Sequence, residues 1–237
     1  MTQKYTILFD LDGTLVDTAP DLMGAHNHVM KKYGFPTKST EDIRNLVGQG
    51  AGALIGRSIW GQAKKEYQSV NDQKIKDKMS KDFVEYYGKN IINQSTLING
   101  VKEFLKWCKE SNISMAVCTN KQEHLAIDLL KKIGIYNYFE YVAGSDTFDY
   151  CKPDPRHITN IIEILSGDIK KSLMIGDSET DANAAKAASI PVILLENGYT
   201  EKNSNEIYHN HLIKDFIGVE KIVSTYLKDW FNFFSYY

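Results

Sequence analysis

The 237 residues hold only three cysteines, Cys108, Cys118 and Cys151, without a CxxC pair or Cys/His ligand spacing. That argues against a disulfide framework and a zinc site, and the thiols read as reduced, as in a cytosolic protein. An excess of one charge is missing as well, because 28 basic residues face 30 acidic ones. A net charge of −2 offers no footprint for nucleic acid or an anionic membrane, so a small molecule is the expected partner. No apolar run reaches the roughly 18 residues of a membrane span. The first residues, Met1 to Ile7, run straight into a strand pattern without a secretory segment, so a soluble, cytoplasmic protein is expected. Repeats and low-complexity segments are absent. The six histidines, His26, His28, His124, His157, His209 and His211, form no ligand grouping with the acids.

What is there is ordinary globular composition, 43% hydrophobic, arranged in two textures. From Asp21 to Tyr87 the apolar residues recur at helical spacing. Leu22, His26, Val29 and Tyr33 share one face before Gly34 and Pro36 stop the helix. Ser39 and Thr40, backed by Glu41 and Asp42, cap a second helix through Val47. A third covers 51–60 and a fourth 72–87. Elsewhere strands alternate with helices. Strand patterns at 5–9, 113–118, 141–143, 173–175, 192–195 and near 212 are separated by helices at 101–109, 123–133, 155–165 and 181–188, with a last helix to 227. Such alternation predicts an α/β fold with a mostly parallel sheet covered on both faces. The helical block then becomes an insertion: residues 1–15 and 92–237 form the core, and 16–91 an all-helical cap over the carboxyl edge of the sheet.

The first strand ends in Phe9-Asp10-Leu11-Asp12-Gly13-Thr14. A single acid there caps a helix often enough. Two are harder to dismiss, because like charges about 4 Å apart repel by roughly 4 kcal/mol at an effective dielectric near 20. They call for a cation. Reading the residue after each strand adds Thr119, Asn120 and Lys121, then Lys152 in a Cys-Lys-Pro-Asp-Pro run, then Asp177 and Asp181. Acids, hydroxyl and amide donors and a lysine balance when a magnesium ion and a phosphate join them. Thr119, Asn120 and Lys152 are then the expected phosphate donors. Asp10 is the expected nucleophile, and Asp12 the acid and base that serves the leaving group and the water.

Asp10-Leu-Asp-Gly-Thr-Leu, Thr119-Asn120, Lys152-Pro-Asp-Pro and Gly176-Asp177-Ser-Glu-Thr-Asp181 resemble, in order, the four motifs of the haloacid dehalogenase-like phosphohydrolases. The resemblance implies a Rossmann-like core. It also implies a magnesium ion held by Asp10, the backbone carbonyl of Asp12, and Asp177, with Asp181 on the metal's water shell or orienting its neighbours. Val16-Asp-Thr-Ala-Pro-Asp-Leu, Ile43-Arg44-Asn-Leu-Val-Gly48-Gln-Gly50, Asn99-Gly-Val, Val117-Cys-Thr-Asn-Lys-Gln and Asn197-Gly-Tyr resemble the phosphoglycolate phosphatases with a helical cap. A phosphatase for a small phosphorylated metabolite, 2-phosphoglycolate first, is what this implies. Pyrophosphate, a nucleotide or a sugar phosphate are the other substrates, and a phospho-receiver signalling module is the rival from another class. Asp12 and the cap speak against that module, which wants a long-lived phosphoaspartate.

Specificity is expected from the cap, where Arg44, Arg57 or the backbone donors of Gly48 and Gly50 are the candidates for a substrate carboxylate. The aromatic tail from Trp230 to Tyr237 docks on its own core or forms a homodimer contact.

Overall fold

In the computed structural model, which describes residues 4–61 and 70–232, the alternation closes into one α/β unit. The strands are β1 (Thr6–Phe9), β2 (Val16–Asp17), β3 (Thr96–Leu97), β4 (Ser114–Cys118), β5 (Tyr141–Ala143), β6 (Ser172–Gly176), β7 (Val192–Leu195) and β8 (His211–Ile213). The helices are α1 (Ala19–Tyr33), α2 (Thr40–Arg44), α3 (Ala51–Trp60), α4 (Val70–Lys89), α5 (Val101–Glu110), α6 (Glu123–Lys132), α7 (Pro155–Ile164), α8 (Glu179–Ala187) and α9 (Val219–Asn232). Six strands form a parallel sheet in the order β5-β4-β1-β6-β7-β8. β1 is central, with Phe9 opposite Val117 on one side and Ile175 on the other.

Alternate residues of β1 face opposite layers, as the two-residue period of a strand requires. Ile7 and Phe9 enter a cluster with α5, α6 and α9, while Leu8 enters a second one with α7 and α8. Phe9 packs among Phe104, Phe139 and Phe216, with ring centroids 5.8–6.4 Å away. Burying an aromatic ring of this kind contributes about 2 kcal/mol. The first cluster continues into the helical segment through Leu15, Leu22, Val29, Ile55 and Phe83, so the sheet and the helices share one apolar core.

Between β2 and β3 the described chain consists of α1 to α4 and the turns that join them; residues 62–69 lie outside the described part. α1 packs against α2 and α4, and α3 packs against α4. Two features tie the ends of this segment together. β2 and β3 form a short antiparallel ribbon with Val16 opposite Leu97. Buried Asp21, in the first turn of α1, accepts hydrogen bonds from the backbone N–H groups of Gln94 and Ser95 at 2.9–3.0 Å and from the Ser95 hydroxyl at 2.7 Å.

Most helix limits follow the local chemistry read from the sequence. α1 ends at Gly34, whose φ of +76° is the left-handed stop. Ser39 caps α2 in a reciprocal box with Asp42. That helix stops at Arg44 rather than Val47, and Asn45 closes it. α8 begins at Glu179 rather than Asp181, because Ser178 is its N-cap and Asp181 is the third residue of the box. The aromatic tail is described in backbone only as far as Asn232, so its expected docking or dimer contact lies outside the described residues. Among those residues no helix is long and apolar enough to cross a membrane.

Candidate active site

Four loops leave the carboxyl edge of the sheet at neighbouring strands, and their first residues meet. Asp10 follows β1, Thr119 and Asn120 follow β4, Asp177 follows β6, and Tyr199 lies in the loop after β7. Lys152, from the segment before α7, closes the group. Its ammonium sits 2.9 Å from Asp10 Oδ1 and 2.6 Å from Asp181 Oδ1, with the lysine 3% exposed. One oxygen each from Asp10, Asp177 and Asp181 lies within 4.8 Å of the others.

The acids are held rather than merely gathered. Asp177 accepts from the Thr14 hydroxyl at 3.1 Å and from the Tyr199 backbone N–H at 2.6 Å. Asp181 Oδ2 accepts from the Ser178 hydroxyl at 2.7 Å and from the Asp177 and Ser178 N–H groups. Two glycines make room for this. A Cβ on Gly13, whose φ is +80°, would lie 2.1 Å from Asp177 Oδ2, and one on Gly198 would lie 1.8 Å from the Asp177 carbonyl. The turn at Gly13 and Thr14 is thus also a wall of the acid cluster.

Burial pushes the Asp10 carboxyl up to about 6, against the pull of Lys152. Burial pushes Asp177 well above the usual carboxylate range, and the charges of Asp10 and Asp181 add to this. Burial alone would lower Lys152, but Asp10 and Asp181 beside it raise its ammonium. Ionised together, the three carboxylates would outnumber the one ammonium by two charges, three minus one, in a buried cluster, which is why burial and mutual repulsion push Asp10 and Asp177 toward the protonated form without a cation. A hard divalent cation with oxygen ligands answers that imbalance, so the donor set fits one.

Asp12 lies apart from this cluster and faces the helices. Its Oδ1 accepts from the hydroxyl of Thr18, the residue before α1, at 2.7 Å, and both its oxygens lie 2.7 Å from the Lys121 ammonium. The Lys121 ammonium also sits over the Tyr87 ring, 4.6 Å from its centroid. Of the expected phosphate donors, Thr119 is 1% exposed and its Oγ1 accepts from the Lys121 N–H at 3.2 Å. The Asn120 amide donates to the carbonyls of Lys152 at 2.9 Å and Gly48 at 3.1 Å.

A cavity of about 580 Å³ opens above these groups. Asp10, Asp12, Thr119, Asn120, Lys121 and Asp177 line its sheet side, and Gly48–Leu54, Lys76, Lys81, Phe83 and Tyr87 its helical side. Gly48 and Gly50, candidates from the sequence, are among these lining residues. Arg44 and Arg57 are not among the lining residues. Arg44 pairs with Asp17 at 2.6 Å, and Arg57 donates to the Leu46 carbonyl. The sequence gathers Lys121 with Thr119 and Asn120 but gives it no role, and it points to no role for Tyr199 or Lys76. Lys121 was visible as the residue after Thr119-Asn120, and Tyr199 as the end of Asn-Gly-Tyr, but neither had a partner within local reach. Lys76 has no sequence signal beyond its place on a helix.

Residues 7–195 match the family model described as haloacid dehalogenase-like hydrolase. The chain is 38% identical over 210 residues to the phosphoglycolate phosphatase of Mesorhizobium japonicum, covering 89% of this chain and 90% of that protein. It is 39% identical over 222 residues to the phosphoglycolate phosphatase of Agrobacterium fabrum, covering 92% and 93%. The crystal structure of a predicted phosphoglycolate phosphatase from Haemophilus somnus superposes with a TM-score of 0.84 at 32% identity, over 94% of this chain and 99% of that one.

Proposed function

Because the chain belongs to the haloacid dehalogenase-like hydrolases and is a phosphoric monoester hydrolase, we propose that its substrate is 2-phosphoglycolate, cleaved with magnesium through a phosphorylated Asp10. The chemistry rests on one observation above all: Asp10, within reach of Lys152 and beside Asp177 and Asp181, sits on the sheet side of a cavity that takes a small ester. The choice of ester rests on the phosphoglycolate phosphatases, to which the likeness extends over the helical segment as well as the core.

In this reading an Asp10 carboxylate oxygen attacks phosphorus. The bond from phosphorus to the glycolate oxygen breaks, and Asp12 gives that oxygen its proton. Asp12 then takes a proton from water, the water oxygen attacks phosphorus, and the bond to Asp10 breaks to release inorganic phosphate. Asp10, the backbone carbonyl of Asp12 and Asp177 would hold the magnesium, which would supply charge for the phosphate oxygens, while Asp181, taken up by Lys152 and Ser178, orients its neighbours. Lys152 holds Asp10 and Asp181 in place and adds a second positive charge beside the phosphoryl group. Thr119 offers its hydroxyl to the same oxygens, and the Asn120 amide seats the Gly48 carbonyl against the Lys152 loop. Residues 16–91, closing from the helical side, act as the cap that keeps water out.

Among the described residues the cations on the cavity's helical side are Lys76 and Lys81, and in this reading these, with the backbone at Gly48 and Gly50, receive the substrate carboxylate. The test is kcat/KM for 2-phosphoglycolate against pyrophosphate, nucleotide and sugar phosphates, with and without magnesium. Magnesium-dependent turnover that favours 2-phosphoglycolate by tenfold or more, about 1.4 kcal/mol, is expected. A smaller preference would remove the substrate from the reading.

A further inference from the structure

Tyr199 is 2% exposed and touches both halves of the molecule. On one side its backbone N–H donates to Asp177 Oδ2 at 2.6 Å. On the other its hydroxyl donates to Asp17 Oδ1 at 2.6 Å and accepts from the Ala19 N–H at 2.8 Å. Asp17 belongs to the ribbon strand β2, and Ala19 is the first residue of α1. The second oxygen of Asp17 takes Arg44, the last residue of α2, whose guanidinium carbon lies 5.3 Å from the centroid of the tyrosine ring. The loop carrying Tyr199 also reaches the turn before α3, since a Cβ on Gly48 would lie 3.8 Å from the Tyr199 carbonyl.

This arrangement is chemically consistent. Burial pushes the Tyr199 hydroxyl well up, and Asp17 beside it adds to this, so the phenol stays a neutral donor. Burial would raise Asp17, but hydrogen bonds from Arg44 and Tyr199 hold its carboxyl below the usual range, so it stays an anionic acceptor. One residue thereby spans the distance from an acid of the cluster to the place where the helical segment leaves and turns.

We propose that Tyr199 is a positioning residue that couples the set of the Asp177 carboxylate to the seating of the helical segment over the cavity. The two arms are chemically separate, the backbone N–H serving Asp177 and the hydroxyl serving Asp17 and Ala19. The proposal rests on the reading of the acid cluster as the magnesium and phosphoryl-transfer site.

Tyr199→Phe keeps the ring and the backbone arm and removes only the hydroxyl arm. Titrated with magnesium alone, the variant binds the ion within twofold of the wild type. Its kcat/KM for 2-phosphoglycolate falls about tenfold, the loss lying mainly in KM, as expected for a buried hydrogen bond to a charged group. Hydrogen exchange at the Ala19 amide speeds up. Asp17→Asn keeps an acceptor for the hydroxyl but gives up the charge that holds Arg44, and the double variant loses less than the two single losses multiplied together, because the Tyr199–Asp17 bond is common to both. Wild-type kcat/KM in Tyr199→Phe well below its melting temperature overturns the coupling, as do fully additive losses or a loss of magnesium binding equal to the loss of turnover. If the wild type neither binds magnesium nor hydrolyses any phosphate ester, the underlying reading fails and the proposal falls with it.

Discussion

The two sides of the cavity are built on different principles. On the sheet side the functional residues follow strand ends or, like Lys152, are brought to them by a longer loop; most are buried and fixed by bonds to other functional atoms, as Lys152 is to Asp10 and Asp181. On the helical side the lining lysines Lys76 and Lys81 sit on α4, half-buried and exposed respectively, and the ion pairs of the helical segment are open to water even away from the cavity, as Lys32–Asp82 shows with 53% and 21% of the side chains exposed. The first arrangement suits chemistry, where a displacement of about 1 Å is costly. The second suits recognition, because a helix face can exchange side chains without disturbing the sheet.

The largest effect expected is at Asp10. Asp10→Asn lowers kcat by about 10⁴-fold or more, since a reaction that runs through a covalent step has no substitute for its nucleophile. Rapid-quench measurement should find no protein-bound phosphate in this variant. Near-normal turnover would break the division between a chemical side and a recognition side. A pair of lysine variants sharpens the same comparison in stability. Lys152→Met strands two buried carboxylates and costs about 3–5 kcal/mol without added metal, a fall of about 10 °C or more in melting temperature for a chain of this size. Lys32→Met leaves the melting temperature unchanged within error, because an exposed pair contributes little.

Legibility in the sequence follows the same division. The strands were readable because β1, β4, β6 and β7 are apolar runs buried on both faces, and the acids were readable because they follow those runs directly. The ribbon of β2 and β3 was not, since two residues at Val16 have no pattern that points to Leu97. Lys121 finds Asp12 across 109 positions, and Tyr199 finds Asp17 across 182. Such pairs are created by the fold and leave no local trace. Arg44 shows the opposite error: an arginine in the helical segment invited a role at the substrate, while its partner, Asp17, looked like part of the Val-Asp-Thr-Ala-Pro run and nothing more.

Two buried histidines carry the comparison into pH. In the helical segment His26 bonds through both ring nitrogens, to Asn27 at 3.0 Å and Ser58 at 2.8 Å. In the core His157, behind Lys152, has no hydrogen-bond partner on either nitrogen and meets Phe148 edge-on. Burial lowers His157 to about 4, and the charge of Lys152 adds to this. Above pH 6.5 the ring is neutral in both folded and unfolded chains and adds no pH dependence. Between about 6.5 and 4 the unfolded chain takes a proton that the folded one refuses, so stability falls as pH falls. His157→Leu removes that limb. Chemical denaturation at pH 7 and pH 5 should show the gap between variant and wild type moving by about 2 kcal/mol in favour of the variant. An unchanged gap would mean that the core accommodates this charge.

The smallest effect bears most directly on specificity. The Lys76 stem lies along a glycine face of α3: its Cδ is 3.6 Å from where a Cβ on Gly56 would be, and its Cε 4.0 Å from one on Gly52. The side chain therefore runs toward the amino end of α3, whose first turn lines the cavity with it. Removing the charge while keeping a polar end, as in Lys76→Gln, should raise KM for 2-phosphoglycolate about tenfold with kcat within twofold, the signature of lost binding to a substrate group remote from the reacting bond. For 2-hydroxyethyl phosphate, which has an alcohol in place of the carboxylate, the same variant should match the wild type. Arg44→Gln, acting through Asp17 and Tyr199 rather than on the ester, should lower kcat/KM for both substrates alike. If Lys76→Gln also affects both equally, the lysine is seating helices rather than reading a carboxylate, and the helical side of the cavity would owe its selectivity to the backbone at Gly48 and Gly50.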